Sequence, residues 1–311
     1  MSVTHGEPCV KAVVLTWNDT EMSSRCIASL IEGGYPNLEI ILVDNGSQEP
    51  CGEALAALFP TIEVVRLATN QGFTGGANAG LKHALSRGAD YILFLNNDTV
   101  VAPGAVSELV AALEDDPAVG AASALLFIPG PGPRRVAFYT GTVRRDIASH
   151  IHFREDSAYD GREWPTAVTE YAPACAMMYR SHALREIGLF DETFGTNWED
   201  YDLCLRFSDH GWTMLTVGTA HVDHLHGATT GRTSPYIVYY ATRNRLICLF
   251  RYGSAWGILR NSPHIARTFM WQIRGYGLSN WRCHWAFAKG VAAFGLAIRG
   301  EAGAPAVRAA D

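Results

Sequence analysis

The sequence lacks the marks of several common classes. Its seven cysteines, Cys9, Cys26, Cys51, Cys175, Cys204, Cys248 and Cys283, include no CxxC pair. That scatter argues against a zinc ribbon or a disulfide frame and fits reduced thiols in a cytoplasmic protein. No run approaches the roughly 18–20 apolar residues that a membrane-spanning helix needs. Residues 1–8 do not show the basic-then-apolar pattern of a secretory leader. Basic residues form no long run and the formal net charge is −6, so no nucleic-acid partner is expected. There is no internal repeat and no low-complexity tract.

What is present is an alternation. Apolar residues make up 48% of the 311, enough for a large packed core. Short apolar runs at 10–17, 38–43, 62–67 and 91–95 read as strands, and 21–32, 51–59 and 77–85 read as helices. Strands alternating with helices at this spacing predict an α/β fold, a nucleotide-binding sandwich with a mostly parallel central sheet. The Pro- and Gly-rich stretch 129–133 marks a loop, and 134–170 has no clear period. Further on, 182–187 and 200–210 read as helices and 212–217 as a strand. From about residue 233 aromatic and basic residues mix on helical segments. We therefore expect a catalytic domain over 1–232 and a C-terminal helical extension over 233–311. The extension's aromatics fill a core of their own, lie on an anionic membrane face, or do both.

Chemistry gathers at the strand ends. The apolar run 91–95 stops at Asn96-Asn97-Asp98-Thr99. A carboxylate at the carboxyl end of a strand can hold a divalent cation that grips a diphosphate, although Asn and Asp also suit a plain turn. Thr16-Trp17-Asn18, Asp44-Asn45-Gly46-Ser47 and Thr69-Asn70-Gln71-Gly72-Phe73 are further polar clusters after apolar runs, and parallel strands would bring all of them to one edge. Asp44 suits either the imide N–H of a uracil or thymine ring or an Asx-turn. Gly72, Gly75, Gly76 and Gly80 surround Asn78 near a helix start, where close backbone approach and a helix N-terminus favour phosphate. Their spacing is neither the dinucleotide fingerprint nor a P-loop. Trp198-Glu199-Asp200-Tyr201-Asp202 crowds three acids, and mutual repulsion would raise one pKa and make a better base. Acids at a helix start also serve simply as dipole partners. His221, His224 and His226 with Asp223 could supply one metal ligand.

In this order the motifs resemble those of a family 2 glycosyltransferase, the inverting GT-A type, in the branch of bacterial rhamnosyltransferase-like enzymes. The similarity runs from about residue 10 to 232 and weakens through Arg243-Asn244-Arg245. The resemblance implies that Thr16, Asn18 and Asp44 hold the nucleoside of a UDP- or dTDP-sugar. It places Asn70, Gly72, Asn78 and Asn97 along the nucleotide and its diphosphate. Asp98 would bind Mg²⁺ or Mn²⁺, His224 would help to bind that metal or the diphosphate, and Asp200, paired with Glu199, would be the general base. The acceptor implied is a hydroxyl of a glycan, of a lipid-linked glycan or of another molecule, reached in the cytoplasm or at the inner face of the membrane. There are two departures: Asn96 stands where the family often has Asp, and Ala174 where the branch often has Gly. Two other readings compete. One is a catalytically degenerate scaffold subunit, for which Asn96 argues and Glu199-Asp200 argues against. The other is a sugar nucleotidyltransferase, which wants a basic loop after the first strand, where this chain has no basic residue until Arg25.

Overall fold

The structure, a computed structural model, describes residues 6–49, 51–153, 155–225, 234–275, 277 and 280–297. The expected boundary at 232/233 and the candidate ligand His226 lie outside the described residues.

The first part of the chain alternates as expected: β1 (Val10–Thr16), α1 (Thr20–Glu32), β2 (Leu38–Asp44), α2 (Cys51–Leu58), β3 (Glu63–Arg66), α3 (Gly72–Ser86) and β4 (Tyr91–Asn96). Every residue of β1 is buried, as only a strand covered on both faces can be. Asp19 starts α1 by accepting from the Met22 N–H at 3.0 Å, and Cys26, Ile27 and Leu30 form the helix's buried stripe. The helix α3 begins at Gly72, well before the expected position 77. This gives its glycines a different reason from the expected one. A Cβ on Gly80 would lie 2.4 Å from Val13 Cγ1 and 2.6 Å from Val43 Cγ2, so the missing side chain lets α3 sit directly on β1 and β2.

The chain continues through β5 (Thr99–Val101), α4 (Ala105–Asp115), β6 (Val119–Ile128), β7 (Arg135–Phe138), β8 (Thr140–Arg144), β9 (Ser149–Phe153), β10 (Ala167–Val168), β11 (Ala176–Arg180), α5 (Ser181–Ile187), α6 (Glu199–Asp209) and β12 (Thr213–His224). The strand order is β10-β12-β6-β11-β4-β1-β2-β3, with β5 added to β12 and β7 to β6. Strands β3, β2, β1 and β4 are mutually parallel. Strand β11 runs antiparallel to both β4 and β6, so β6 and its parallel partner β12 regain the direction of β4. The sheet is thus mostly parallel with one reversed strand inside it. Strands β8 and β9 form a separate hairpin within 134–170, where their short mixed-polarity sequences gave no period.

Three helices follow: α7 (Pro235–Tyr252), α8 (Ala255–Gly275) and α9 (Trp281–Ala297). Ser234 caps α7 by accepting from Ile237 N–H, and Pro235 occupies its first turn. Arg243, Asn244 and Arg245 on α7 are all buried. Successive helix residues point about 100° apart, so the three side chains reach different segments. Arg243 donates to Thr193 O at 2.8 Å, and Arg245 donates to Ala148 O at 3.1 Å and Ile147 O at 3.2 Å. The Asn244 amide nitrogen lies 2.8 Å from Phe194 O, 2.7 Å from Thr196 O and 2.8 Å from Asn197 O. These carbonyls belong to the loop leading into α6, where Asn197 and Trp198 take positive φ.

Replacing Asn244 with Ala should therefore leave buried carbonyls without a donor. A loss of about 1–3 kcal/mol in denaturant-unfolding stability is expected. A change within about 0.5 kcal/mol would show that the loop holds itself.

Candidate active site

The shared strand direction brings the polar clusters to one edge. Thr16 pairs with Asp44 across β1 and β2, and Leu15 pairs with Asn96 across β1 and β4. On the far side of β11, Thr99 of β5 pairs with His224 at the end of β12. That pairing sets His224 Nε2 3.2 Å from Asp98 Oδ1. Burial alone would lower the His224 pKa, but the Cys175 sulfur and the Asp98 carboxylate outweigh it and carry the pKa up to about 10. The other candidates nearby point elsewhere. Side chains alternate along a strand; Asp223 pairs with Arg134, and the His221 ring packs against Phe127 and Tyr159.

Among the described residues no group of three or more His, Cys, Asp or Glu could hold a metal alone. Asp98 and His224 nevertheless fit a hard divalent cation of the kind that keeps one or two protein ligands and takes the rest from substrate phosphates and water.

The candidate nucleotide residues are tied to one another. Asn18, at φ 53°, donates its N–H to Ser47 Oγ at 2.9 Å and accepts from Gln48 N–H at 2.8 Å. The Thr16 hydroxyl is buried and accepts from Ser23 Oγ at 2.7 Å, and Asn97 donates to the same Ser23 at 3.2 Å. Asn45, which the sequence reading did not single out, joins two loops. It donates to Gly72 O at 2.9 Å and Asn70 Oδ1 at 3.2 Å and accepts from Gln71 N–H at 2.9 Å. Asn70 in turn accepts from Gly72 N–H at 2.8 Å.

Two of the candidates are engaged by protein groups. Asp44 is wholly buried, and its oxygens accept from Ser47 N–H at 2.9 Å and Gly52 N–H at 3.3 Å. Of its two readings, the turn is the one observed. Asn78 was expected along the diphosphate. It is instead buried, with its amide nitrogen on Phe190 O at 2.8 Å and Glu192 Oε1 at 3.0 Å and its oxygen on Phe190 N–H at 3.1 Å. With both ends of the amide engaged, Asn78 anchors the 190–192 segment.

The acid group also divides. Asp202 is buried in ion pairs with Arg206 at 2.9 Å and Arg251 at 3.5 Å, so it is structural. Glu199 is buried with no hydrogen-bond partner at Oε2 among the described residues, and burial, reinforced by the Asp200 charge, lifts its pKa well above the usual carboxylate range. Burial also raises Asp200, against the Tyr171 hydroxyl at 2.8 Å from Oδ2 and the Tyr201 N–H at 2.7 Å from Oδ1. Repulsion between neighbouring acids was the expected cause of the shift. Burial is the larger one. The charged form of Glu199 is thus the more strongly disfavoured of the two, whereas two donors hold the Asp200 carboxylate.

The β9 histidines were missed as parts of this site, as was the contact of Tyr171 with Asp200. The His150 ring stacks on Tyr171 at 4.2 Å and 8°, and His152 lies 5.4 Å from it at 15°. Burial pushes the His150 pKa down to about 4 and lowers that of His152. Two essentially neutral imidazoles therefore cover the ring that donates to Asp200. Their i, i+2 spacing was the available signal, hidden in a segment with no overall pattern.

A family model described as Glycosyl transferase family 2 matches residues 12–188. The chain belongs to glycosyltransferase family 2. This glycosyltransferase is 23% identical over 239 residues to the N-acetylglucosaminyl-diphospho-decaprenol L-rhamnosyltransferase of Mycobacterium tuberculosis, covering 71% of this chain and 77% of that one. It is 21% identical over 252 residues to the dTDP-rhamnosyl transferase RfbF of Shigella flexneri, covering 77% and 79%. The rhamnosyltransferase-like placement is thus supported by sequence. Among solved structures it resembles GalNAc-T7 with UDP, GalNAc and Mn²⁺ at a TM-score of 0.60 and 16% identity, over 76% of this chain and 47% of that one. It also resembles the mannosyltransferase PcManGT from Pyrobaculum calidifontis in complex with GDP-Man and Mn²⁺, at a TM-score of 0.55 and 16% identity, over 96% and 77%. The fold is of the GT-A type.

The Tyr171 hydroxyl stabilises the charged form of Asp200, so Tyr171→Phe raises the Asp200 pKa. If the carboxylate is the active form, the acidic limb of the pH–rate profile moves up by about one unit. The rate above that limb stays near wild type. An unmoved limb would mean that Tyr171 does not tune the group that titrates.

Proposed function

We propose that this glycosyltransferase moves a sugar, with inversion, from a UDP- or dTDP-sugar to a hydroxyl of a glycan, a lipid-linked glycan or a similar acceptor. The observation that carries this reading is the Asp98–His224 contact, set by the pairing of β5 with β12 at the edge where β1, β2 and β4 also end. Asp98 and His224 would hold Mg²⁺ or Mn²⁺, which when bound would neutralise charge on the diphosphate leaving group. Thr16, Asn18, Asn70, Gly72 and Asn97 would shape the nucleotide cleft, with Asp44 supporting its floor.

Asp200 would accept the proton of the incoming hydroxyl. It is the better base of the pair because two donors stabilise its anion, whereas Glu199 is the more strongly neutralised. Glu199, held as a neutral acid, could donate a hydrogen bond and would not compete for the proton. The acceptor would approach past Tyr171 and the β8–β9 hairpin. Ala174, where the branch often has Gly, follows closely after Tyr171, so its methyl would bear on acceptor choice. The names of the two bacterial relatives favour a deoxyhexose donor and a lipid-carried acceptor for this chain as well. An enzyme with such an acceptor would work in the cytoplasm, at a membrane face.

Thermal shift with UDP- and dTDP-sugars, with and without Mn²⁺, tests the donor and the metal together. One donor should raise the melting temperature, and Mn²⁺ should enlarge the rise. Asp98→Asn or His224→Ala should abolish that enlargement. Asp200→Asn should keep the donor shift while transfer falls by about 10²- to 10⁴-fold. Near-full turnover by Asp200→Asn would remove it as the base, and a donor shift indifferent to Mn²⁺ in the wild type would remove the metal.

A further inference from the structure

The chain holds eight tryptophans. Trp17, Trp164, Trp198 and Trp212 are buried or half-buried in the part that carries the site. The other four are not. Trp256 and Trp271 on α8 are 71% and 74% exposed, and Trp281 and Trp285 on α9 are 67% and 58% exposed. A single exposed apolar residue needs no explanation, but a contiguous set marks a contact surface.

The helix faces show that this set is no remnant of poor packing. At about 100° per residue, Trp256, Arg260, Arg267, Met270, Trp271 and Arg274 fall on one face roughly 120° wide. Elsewhere around α8, Ile258 and Ile265 pack against the main core, and Phe269 meets Phe287 of α9 at 5.6 Å. On α9, Cys283 and Ala286 are buried with Val238 of α7, which leaves Trp281, Trp285 and Lys289 outside. The helix α9 has thus buried one stripe and α8 has half-buried one, and both present a second stripe of indoles and cations.

The charge is one-sided. No Asp or Glu occurs between Asp223 and Glu301, in a chain whose net charge is −6. Among the described residues, the ion pairs of this region end at Arg251. Beyond it two cations lie on rings, Arg282 at 5.9 Å from the Trp281 centroid and Lys289 at 5.5 Å from that of Trp285. A second copy of the chain would oppose basic face to basic face, with no acid to relieve the repulsion. A nucleic acid would satisfy the cations but would leave Met270 and Leu296, both exposed, without apolar contact. An anionic lipid surface satisfies both, since indoles favour the headgroup boundary and arginine stems lie along apolar surface with their heads on phosphate. No described helix is long and apolar enough to cross a membrane.

We propose that α8 and α9 dock this enzyme, lying flat, on an anionic phospholipid surface. The docking face uses none of the candidate donor-site residues, and its test needs no sugar, so its failure would leave the transferase reading intact. The full-length protein is sedimented with vesicles of phosphatidylcholine alone or mixed with phosphatidylglycerol. The anionic vesicles should bind at least about tenfold more. High salt should release the protein, and indole emission should shift to the blue on binding. Replacing Arg260, Arg267 and Arg274 together with Gln should remove the preference, while the donor-induced thermal shift stays as in the wild type. Equal binding to both vesicles, binding to neither, or an unchanged preference in the triple variant overturns the proposal. So does a salt-stable dimer in analytical ultracentrifugation that shields the indoles from acrylamide, or a tighter affinity for single-stranded RNA than for the anionic vesicles.

Discussion

Strands that run the same way must end at the same edge, and the candidate site depends on that constraint. Strands β1, β2 and β4 deliver Thr16, Asp44 and Asn96 side by side because their pairing is parallel and in register. The reversed strand β11 then separates β4 from β6 without breaking the pattern, since two antiparallel pairings in succession restore the original direction. Strand β12 therefore ends at the same edge as β4. Only then can the short β5 turn back along β12 and bring Asp98 against His224. Two residues 126 positions apart in sequence (98 to 224) meet because of a direction rule, with no dedicated loop between them.

That rule explains what could be read from sequence. The strands β1, β2 and β4 announce themselves as apolar runs that stop at polar clusters, so the sheet and its functional edge were legible. The alternative roles of particular residues were not. Asp44 and Asn78 look like ligand groups in one dimension, and whether an amide or carboxylate faces a cleft or a neighbouring loop depends on what packs over it. Asn78 meets the 190–192 segment more than 110 positions away. Gly80 illustrates the same limit, because its absent side chain answers to Val13 and Val43. The helix α4 and the strand β5 went unread between two louder signals. The hairpin β8–β9 went unread because it covers a site and not a core, so its sequence carries no clean alternation.

The acid pair shows why burial, more than charge crowding, shapes this chemistry. Two adjacent carboxylates at the surface would both ionise and contribute little beyond a helix-dipole interaction. Placed under Trp198, Tyr171 and the stacked histidines, both lose hydration, and the charged form of each becomes costly. The donors then break the tie. Tyr171 and the Tyr201 backbone support Asp200, whereas Glu199 Oε2 has no partner among the described residues. A pair of similar acids thereby comes to differ, with the Asp200 carboxylate supported by two donors and burial bearing more heavily on Glu199, the kind of separation that assigns different roles to two carboxyls.

The C-terminal helices belong to this arrangement on physical grounds. Asn244 and Arg243 on α7 hold the carbonyls of the segment that enters α6, and α6 opens with Glu199 and Asp200. Arg245 on the same turn holds the carbonyls of Ile147 and Ala148, just before β9 presents His150. One turn of α7 thus fixes both the loop that carries the acids and the hairpin that covers them. Because α9 packs on α7 through Val238, Cys283 and Ala286, a force applied at the outer face of α9 has a continuous packed route to that turn. A surface that seats α8 and α9 would therefore also orient the acid pair relative to the plane of the lipid. It would set the direction from which an acceptor hydroxyl can arrive at Asp200.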